Sequence, residues 1–353
     1  MSAFSRTEEI LKEGVASGAL PGISYAVGRG DEVYLKGALG SRQLFPTGIK
    51  NEESTLFDLA SLSKLTATTM VALKMMEEGR LGLFDELPMF FDHCGNYGDV
   101  TVKHLMNHSS GLTPHISLDT HSLSPEKAVE TILDTKPLCK PGEEVYYSCM
   151  GYITLGKILE KIGGAPLDVL AKQYVFEPLG MKTACYNPTV ENVATTEFCD
   201  YRGEGHYIKG QVHDGNAWYL GGVAGNAGVF ASIDDMIAFA SMLSKRGKTK
   251  DGVYLNPRTF NLAVTNFTPG CREARGLGFQ LKGDRYFPGG GMMSEGSYGH
   301  TGFTGTSLFV DAETGVYGIF LSNSVHLGRN NREASYRIRR MFFGSLINEY
   351  FRK

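Results

Sequence analysis

The chain has 353 residues, 42% hydrophobic and 21% charged, and its 35 basic and 38 acidic residues leave a net charge of −3. That composition fits a globular protein, and the length suffices for one large core or two lobes. No basic stripe points to nucleic acid, no apolar run approaches the ~20 residues that span a bilayer, and residues 1–9 lack the apolar stretch of a secretory signal. The expected partner is therefore a small-molecule substrate, with no nucleic acid and no membrane, and the expected location is cytoplasmic. Oligomeric state is left open. The six cysteines, at 94, 139, 149, 185, 199 and 271, show no Cys-x-x-Cys spacing and are expected to be reduced thiols, most of them small packed residues.

In chain order, the pattern predicts a helix over 8–17, then a hairpin with strands 22–27 and 32–39 turning at Arg29-Gly30-Asp31. A helix headed by Ser61 follows, with apolar residues at Leu65, Met70, Leu73 and Met76, ending near Gly79. Helix signals then dominate, over 102–107, 125–134, 152–162 and 167–174. A glycine-rich stretch, 221–228, leads to Ser232, a plausible N-cap for a helix over 236–243. Strands 307–310 and 316–322 flank a turn at 311–315. A last helix, 332–350, carries Ile338, Met341, Phe342, Leu346 and Tyr350. Strands at both ends with helices between predict an α+β fold. One lobe would be built from about 1–60 and 230–353, with a mostly helical lobe, about 61–229, inserted, and the whole would form one catalytic domain.

The most informative residues are Ser61-Leu62-Ser63-Lys64. On a helix, positions i and i+3 share a face, so the Ser61 hydroxyl and the Lys64 amine would meet. A serine hydroxyl is a weak nucleophile until a base takes its proton, and a lysine can be that base once its surroundings lower its pKa. The helix N-terminus favours negative charge developing beside Ser61. Taken alone, Ser-x-x-Lys also fits a capping serine followed by a surface lysine.

Two further segments stand in the same order as in a known family: Pro141-Gly142-Glu143-Glu144-Val145-Tyr146-Tyr147-Ser148-Cys149, and His300-Thr301-Gly302 within Gly299–Thr306. With Ser61-x-x-Lys64 they resemble the three signature elements of the serine β-lactamase and penicillin-binding-protein superfamily, nearest the branch of class C β-lactamases, D-Ala-D-Ala carboxypeptidases and related esterases. The resemblance extends from Leu20-Pro21-Gly22 through His104-Leu105-Met106-Asn107-His108 and Phe176-Glu177-Pro178-Leu179-Gly180-Met181 to the His300 segment. It implies an antiparallel sheet flanked by helices, with the site between lobes. Ser61 would be the nucleophile, Lys64 the base or proton relay, and Tyr147, six residues after Pro141 as in the family motif, the second proton-transfer group, with Tyr146 the competing choice. His300, Thr301 and Gly302 would form an edge strand facing the cleft, Gly302 letting backbone approach the substrate. By carry-over, the backbone N–H groups of Ser61 and Phe303 would form the oxyanion hole. No cofactor and no metal are expected.

Two positions depart from the pattern. Most β-lactamases carry lysine where His300 stands, so a fixed positive charge for a substrate carboxylate is weakened. Cys149 stands where an asparagine usually hydrogen-bonds the substrate amide, and a thiol is a weak donor and acceptor. Histidine at 300 resembles some carboxypeptidases, while Cys149 shifts the expectation from β-lactams toward esters or another acyl group, with a small ester, amide or β-lactam carbonyl as the overall substrate class. The alternatives are a β-lactamase, carboxypeptidase or cell-wall amidase proper, or a penicillin-recognising protein that acylates without turnover. Cys149 as a rival nucleophile would need a depressed pKa. The stretch 151–158 is one residue short of a phosphate loop. His104 and His108, spaced i, i+4, have no Glu after the first His and no third ligand, and so read as structural. Asp214 and Asn216 either line the cleft or brace the glycine-rich turn.

Overall fold

A computed structural model describes residues 4–121, 124–200, 202, 205–330 and 332–352. Its centre is a seven-stranded antiparallel sheet. The strands are β1 (Gly22–Arg29), β2 (Glu32–Gln43), β3 (Ile49–Lys50), β4 (Gln280–Leu281), β5 (Tyr298–Thr301), β6 (Ser307–Val310) and β7 (Val316–Ser322), in the spatial order β4-β5-β6-β7-β1-β2-β3. The two ends of the chain thus pair directly, Ile23 opposite Ser322 and Val27 opposite Gly318. Period-two alternation assigns the faces. Ile23, Tyr25, Val27, Phe309 and Phe320 point to one core, while Ala26, Leu308, Val310, Ile319 and Leu321 point to the other.

The first face is covered by α1 (Ser5–Ala16) and the last helix, Glu333–Tyr350, which contributes Phe342, Phe343 and Leu346 to the core. Each such side chain stabilises by about 1.5–3 kcal/mol when fully buried. The second face is covered by the helix Ile233–Ser244, which supplies Met236, Phe239 and Leu243. Ser232 caps that helix as expected: its hydroxyl accepts from Asp235 N–H while Asp235 returns a bond to Ser232 N–H. This second core continues without a break into the helical region through Leu65, Met70, Leu105, Met150 and Ile158. Among the described residues no helix is long and apolar enough to cross a membrane.

Strands 307–310 and 316–322 lie where the sequence pattern puts them. The expected helix over 167–174 is instead one α turn, Leu167–Ala171, running on as a π-helix, Lys172–Phe176. All six cysteines are free.

Candidate functional site

The candidate nucleophile sits at a strand-to-helix corner. Phe57–Asp58 pairs antiparallel with Val229–Ala231, and Leu59 N–H donates to Val229 O at 2.9 Å. The chain then turns through Ala60, whose φ of 47° is left-handed, a conformation that costs a non-glycine residue energy. Buried Asp58 holds the corner, accepting from Ala60 N–H (2.8 Å) and His213 N–H (2.6 Å). Ser61 emerges from this corner, and the helix behind it is π-wound over Lys64–Thr69 before becoming α over Met70–Glu77. The expected α-helix is therefore corrected to a wider first segment, a form often found at functional sites.

Lys64 is wholly buried, and its three ammonium protons have three acceptors: Ser61 Oγ at 3.0 Å, Asn226 O at 2.9 Å and Cys149 Sγ at 3.5 Å. Burial works against its charge, but attraction to Cys149 and Tyr147 in their ionised forms, and to Asp214, outweighs burial and lifts it above the ordinary lysine range. Burial pushes the Cys149 thiol and the Tyr147 phenol up as well. At neutral pH those two are thus protonated, and Lys64 rests as an ammonium.

Asn226 reaches Lys64 because the glycine-rich loop lies directly on the helix Cys149–Gly163. A Cβ on Gly225 would stand 1.9 Å from Tyr152 O, and one on Gly156 would stand 3.0 Å from the Gly225 backbone. Gly156, part of the near-miss phosphate loop, thus serves helix–loop contact. Asp214 both lines the cleft and braces this loop: it caps the helix Gly215–Tyr219 through Ala217 N–H (2.8 Å) and accepts from Asn226 Nδ2 (3.0 Å). Asn216 also lines the cleft while tying down 116–118, donating to Ile116 O (2.7 Å) and accepting from Leu118 N–H (2.9 Å).

Ser61, Tyr147, Cys149 and Phe303 line one cavity of about 520 Å³, with His115, Asp119, His213, Asp214, Asn216 and Arg329 on its walls. Neither Ser61 N–H nor Phe303 N–H donates to another described residue, so both are open to an oxyanion. Phe303 is 43% exposed, stacked on His213 (ring centroids 5.6 Å apart) and covered by the Arg332 guanidinium, which also donates to Phe303 O. Arg329 donates to both carboxylate oxygens of Glu197 at 2.6–3.0 Å.

β4 pairs with Tyr298 and Gly299 and stops short of His300, so His300 and Thr301 pair on one side alone, with Leu308 and Ser307. The His300 side chain is buried, its ring 5.8 Å from that of Tyr147, and Nδ1 donates to Thr301 O at 2.7 Å. Burial first, then the charges of Arg275 and Lys64, keep it well below the ordinary histidine range, so it is neutral. A Cβ on Gly302 would stand 2.3 Å from Leu59 O and 2.1 Å from Thr306 Oγ1. The glycine is thus required by the chain's own contact with the nucleophile corner, not only by a substrate.

Sequence reasoning missed Asn226, His108 and Arg275 here, and His104 is structural as expected. Asn226 looks like any turn asparagine. His108, set aside as structural, packs tilted against Tyr147 with ring centroids 4.4 Å apart and accepts from Ser148 N–H at Nδ1 (3.1 Å). His104 is a helix cap, its Nδ1 accepting from Thr101 N–H at 3.2 Å, and burial lowers it to about 4. Arg275, in a segment without a motif, lies with its guanidinium 5.3 Å from the Tyr147 ring centroid. Among the described residues no group of three or more His, Cys, Asp or Glu side chains could hold a metal ion.

A family model described as Beta-lactamase matches residues 7–341. An N-acetylmuramyl-L-alanine amidase of Bacillus subtilis (strain 168) is 27% identical, over 91% of this chain and 81% of its own length. Among solved structures, EstCE1, titled a hydrolase with promiscuous acyltransferase activity, superposes with a TM-score of 0.76 at 23% identity, covering 95% of this chain and 98% of its own. Simvastatin synthase (LovD) from Aspergillus terreus superposes with a TM-score of 0.76 at 20% identity, each chain covered completely. At those identities the two structures speak for the fold alone.

Proposed function

Since the chain belongs to the Beta-lactamase family, we propose that it is a serine hydrolase in which Ser61 is acylated by a small ester. The observation that carries this reading is the 3.0 Å contact between Ser61 Oγ and a wholly buried Lys64, in a cavity also lined by Tyr147. Once the Lys64–Tyr147 pair has released one proton to solvent, Ser61 Oγ attacks the carbonyl carbon as its own proton passes to that pair. The oxyanion takes the N–H groups of Ser61 and Phe303, and losing one such donor costs about 2.7–4 kcal/mol. Collapse expels the alkoxide, which leaves as an alcohol carrying the proton held by the pair. Water then enters, gives its proton to the pair and releases the acid and free Ser61.

Two features favour a neutral ester over a β-lactam. Cys149 cannot offer the donor and acceptor of a side-chain amide. The cation on the cavity wall, Arg329, is committed to Glu197, and neutral His300 adds no charge for a substrate carboxylate. A second reading, hydrolysis of an amide in cell-wall fragments, is supported by the amidase name of the Bacillus relative.

The test follows a p-nitrophenyl ester of a short acid and a chromogenic cephalosporin side by side, with intact mass taken during each reaction. Ester turnover that vanishes in Ser61→Ala, with little cephalosporin loss, is expected. Ester turnover retained in Ser61→Ala removes the nucleophile assignment. Efficient cephalosporin turnover makes the protein a β-lactamase and overturns the preference drawn from Cys149. A stable adduct without product release makes it a binding protein.

A further inference from the structure

The Tyr147 ring is enclosed by charge and imidazole. Lys64 Nζ is 5.0 Å from its centroid, the Arg275 guanidinium 5.3 Å, the His108 ring 4.4 Å and the His300 ring 5.8 Å. Arg275 is only 4% exposed, and Glu273 accepts from its Nε (2.9 Å) and Nη2. Its Nη1 is buried with no acceptor among the described residues. His108 cannot supply one. Its Nδ1 accepts from Ser148, so the neutral ring carries its proton on Nε2, which is itself buried without a partner. Two donors cannot satisfy each other, and unspent buried donors are costly. An apolar side chain would fill the space without that cost, so the charge needs a role beyond filling it.

We propose that Arg275 is a positioning residue for Tyr147, holding the phenol ring beside Lys64 and stabilising the phenolate through which the Ser61 proton passes. This rests on the reading of Tyr147 as a proton-transfer group. A cation against an aromatic face is most effective when desolvated, and this one is buried. The same charge also holds His108 and His300 below the ordinary histidine range, after burial itself. Both imidazoles then stay neutral and the proton traffic is confined to Lys64, Tyr147 and Cys149. The charged and titratable groups around the phenol are thus Lys64, Arg275 with its partner Glu273, His108, His300, Cys149, Tyr152, whose phenol burial keeps protonated, and, beyond Cys149, Asp214.

The sign follows from the resting state. Lys64, Tyr147 and Cys149 begin protonated, so activity rises with pH as the cluster loses its first proton, a macroscopic event belonging to the group. Removing the Arg275 cation favours the protonated forms of both Lys64 and Tyr147. The rising limb should then move to higher pH.

The experiment is kcat/KM for p-nitrophenyl acetate from pH 5.5 to 9.5, read at the pH-independent wavelength. It compares the parent with Arg275→Met, Arg275→Lys, Glu273→Gln and Tyr147→Phe. Arg275→Met should move the limb up by roughly one pH unit, with about tenfold loss at pH 7 that is recovered at high pH. Arg275→Lys should hold the limb near the parent's. Glu273→Gln, which leaves the cation uncompensated, should move it down. A uniform loss at every pH in Arg275→Met, with the limb in place, makes Arg275 merely structural and overturns the proposal. If Arg275→Met does not fold, an unmoved limb in Glu273→Gln overturns it equally. Full activity in Tyr147→Phe instead sinks the underlying reading of the tyrosine.

Discussion

Lys64→Met separates a proton-transfer lysine from a structural one, because the two roles predict opposite balances of stability and activity. The ammonium is wholly buried, and its three acceptors are a hydroxyl, a backbone carbonyl and a thiol, none of them a carboxylate. Withdrawing an ammonium from water costs several kcal/mol even after relaxation. Hydrogen bonds from a charged donor return about 1.5–3 kcal/mol each, and the thiol returns the least. These contributions nearly cancel. Methionine matches the lysine stem, removes the desolvation cost and leaves Asn226 O without a donor, a penalty of about 1–3 kcal/mol. The net stability change should lie within about 2 kcal/mol of zero, which for 353 residues is about 3 °C in Tm. Were Lys64 half of a buried charge pair, its loss would cost about 3–5 kcal/mol, or about 4–7 °C. Activity should move the other way, falling roughly 100- to 10,000-fold, the usual worth of a positioned acid–base group. Calorimetry and the p-nitrophenyl ester assay on the same preparation decide it. A Tm loss above about 4 °C with more than a tenth of the activity left would refute the reasoning.

Gly225→Ala should push the glycine-rich loop off the helix Cys149–Gly163, since the new Cβ would stand 1.9 Å from Tyr152 O. We expect a loss of about 1–3 kcal/mol in denaturant unfolding, typical of overpacking, together with at least tenfold lower ester turnover; unchanged turnover would mean that the loop does not fix Lys64 through Asn226. Cys149→Asn should raise cephalosporin turnover relative to ester turnover, read as the ratio of the two kcat/KM values, and a ratio that stays put or falls would remove Cys149 from the specificity reasoning. At Glu197, burial pushes the carboxyl up, but hydrogen bonds from His213 and Arg329 overcome it and hold it at about 2. Its folded pKa is depressed, so its stabilisation is present above the ordinary carboxyl value near 4.5 and is lost as pH falls from there through 2. Glu197→Gln should therefore flatten the fall in Tm between pH 5 and pH 2.5, and an identical slope in parent and variant would contradict this.

The parts legible in the sequence are those whose cause is local. The strands Ser307–Val310 and Val316–Ser322 are flagged by apolar residues and by the turn between them, and the Ser232 cap by its own chemistry. Ser61 and Lys64 meet because the turn between them, closed by Lys64 N–H on Ser61 O at 3.1 Å, keeps i, i+3 spacing ahead of the π-wound segment. Wherever the cause is contact between distant segments, the signal disappears. β4 is two residues long, too short to show a period, so its pairing with Tyr298 and Gly299 leaves no trace in the sequence. Gly156 and Gly225 are each ordinary in their own segment, and only together do they bring Asn226 O onto Lys64. Arg275 and His108 stand 128 and 39 residues from Tyr147, with no spacing to connect them. The residues proposed to act on the substrate are thus the readable ones, whereas those that set the proton affinities of the site come from four separate stretches of chain. This is why the departures at Cys149 and His300, both visible in the sequence, shift the expected substrate without revealing that His300 is neutral. Its charge is fixed by burial and by Arg275, a residue that no motif contains.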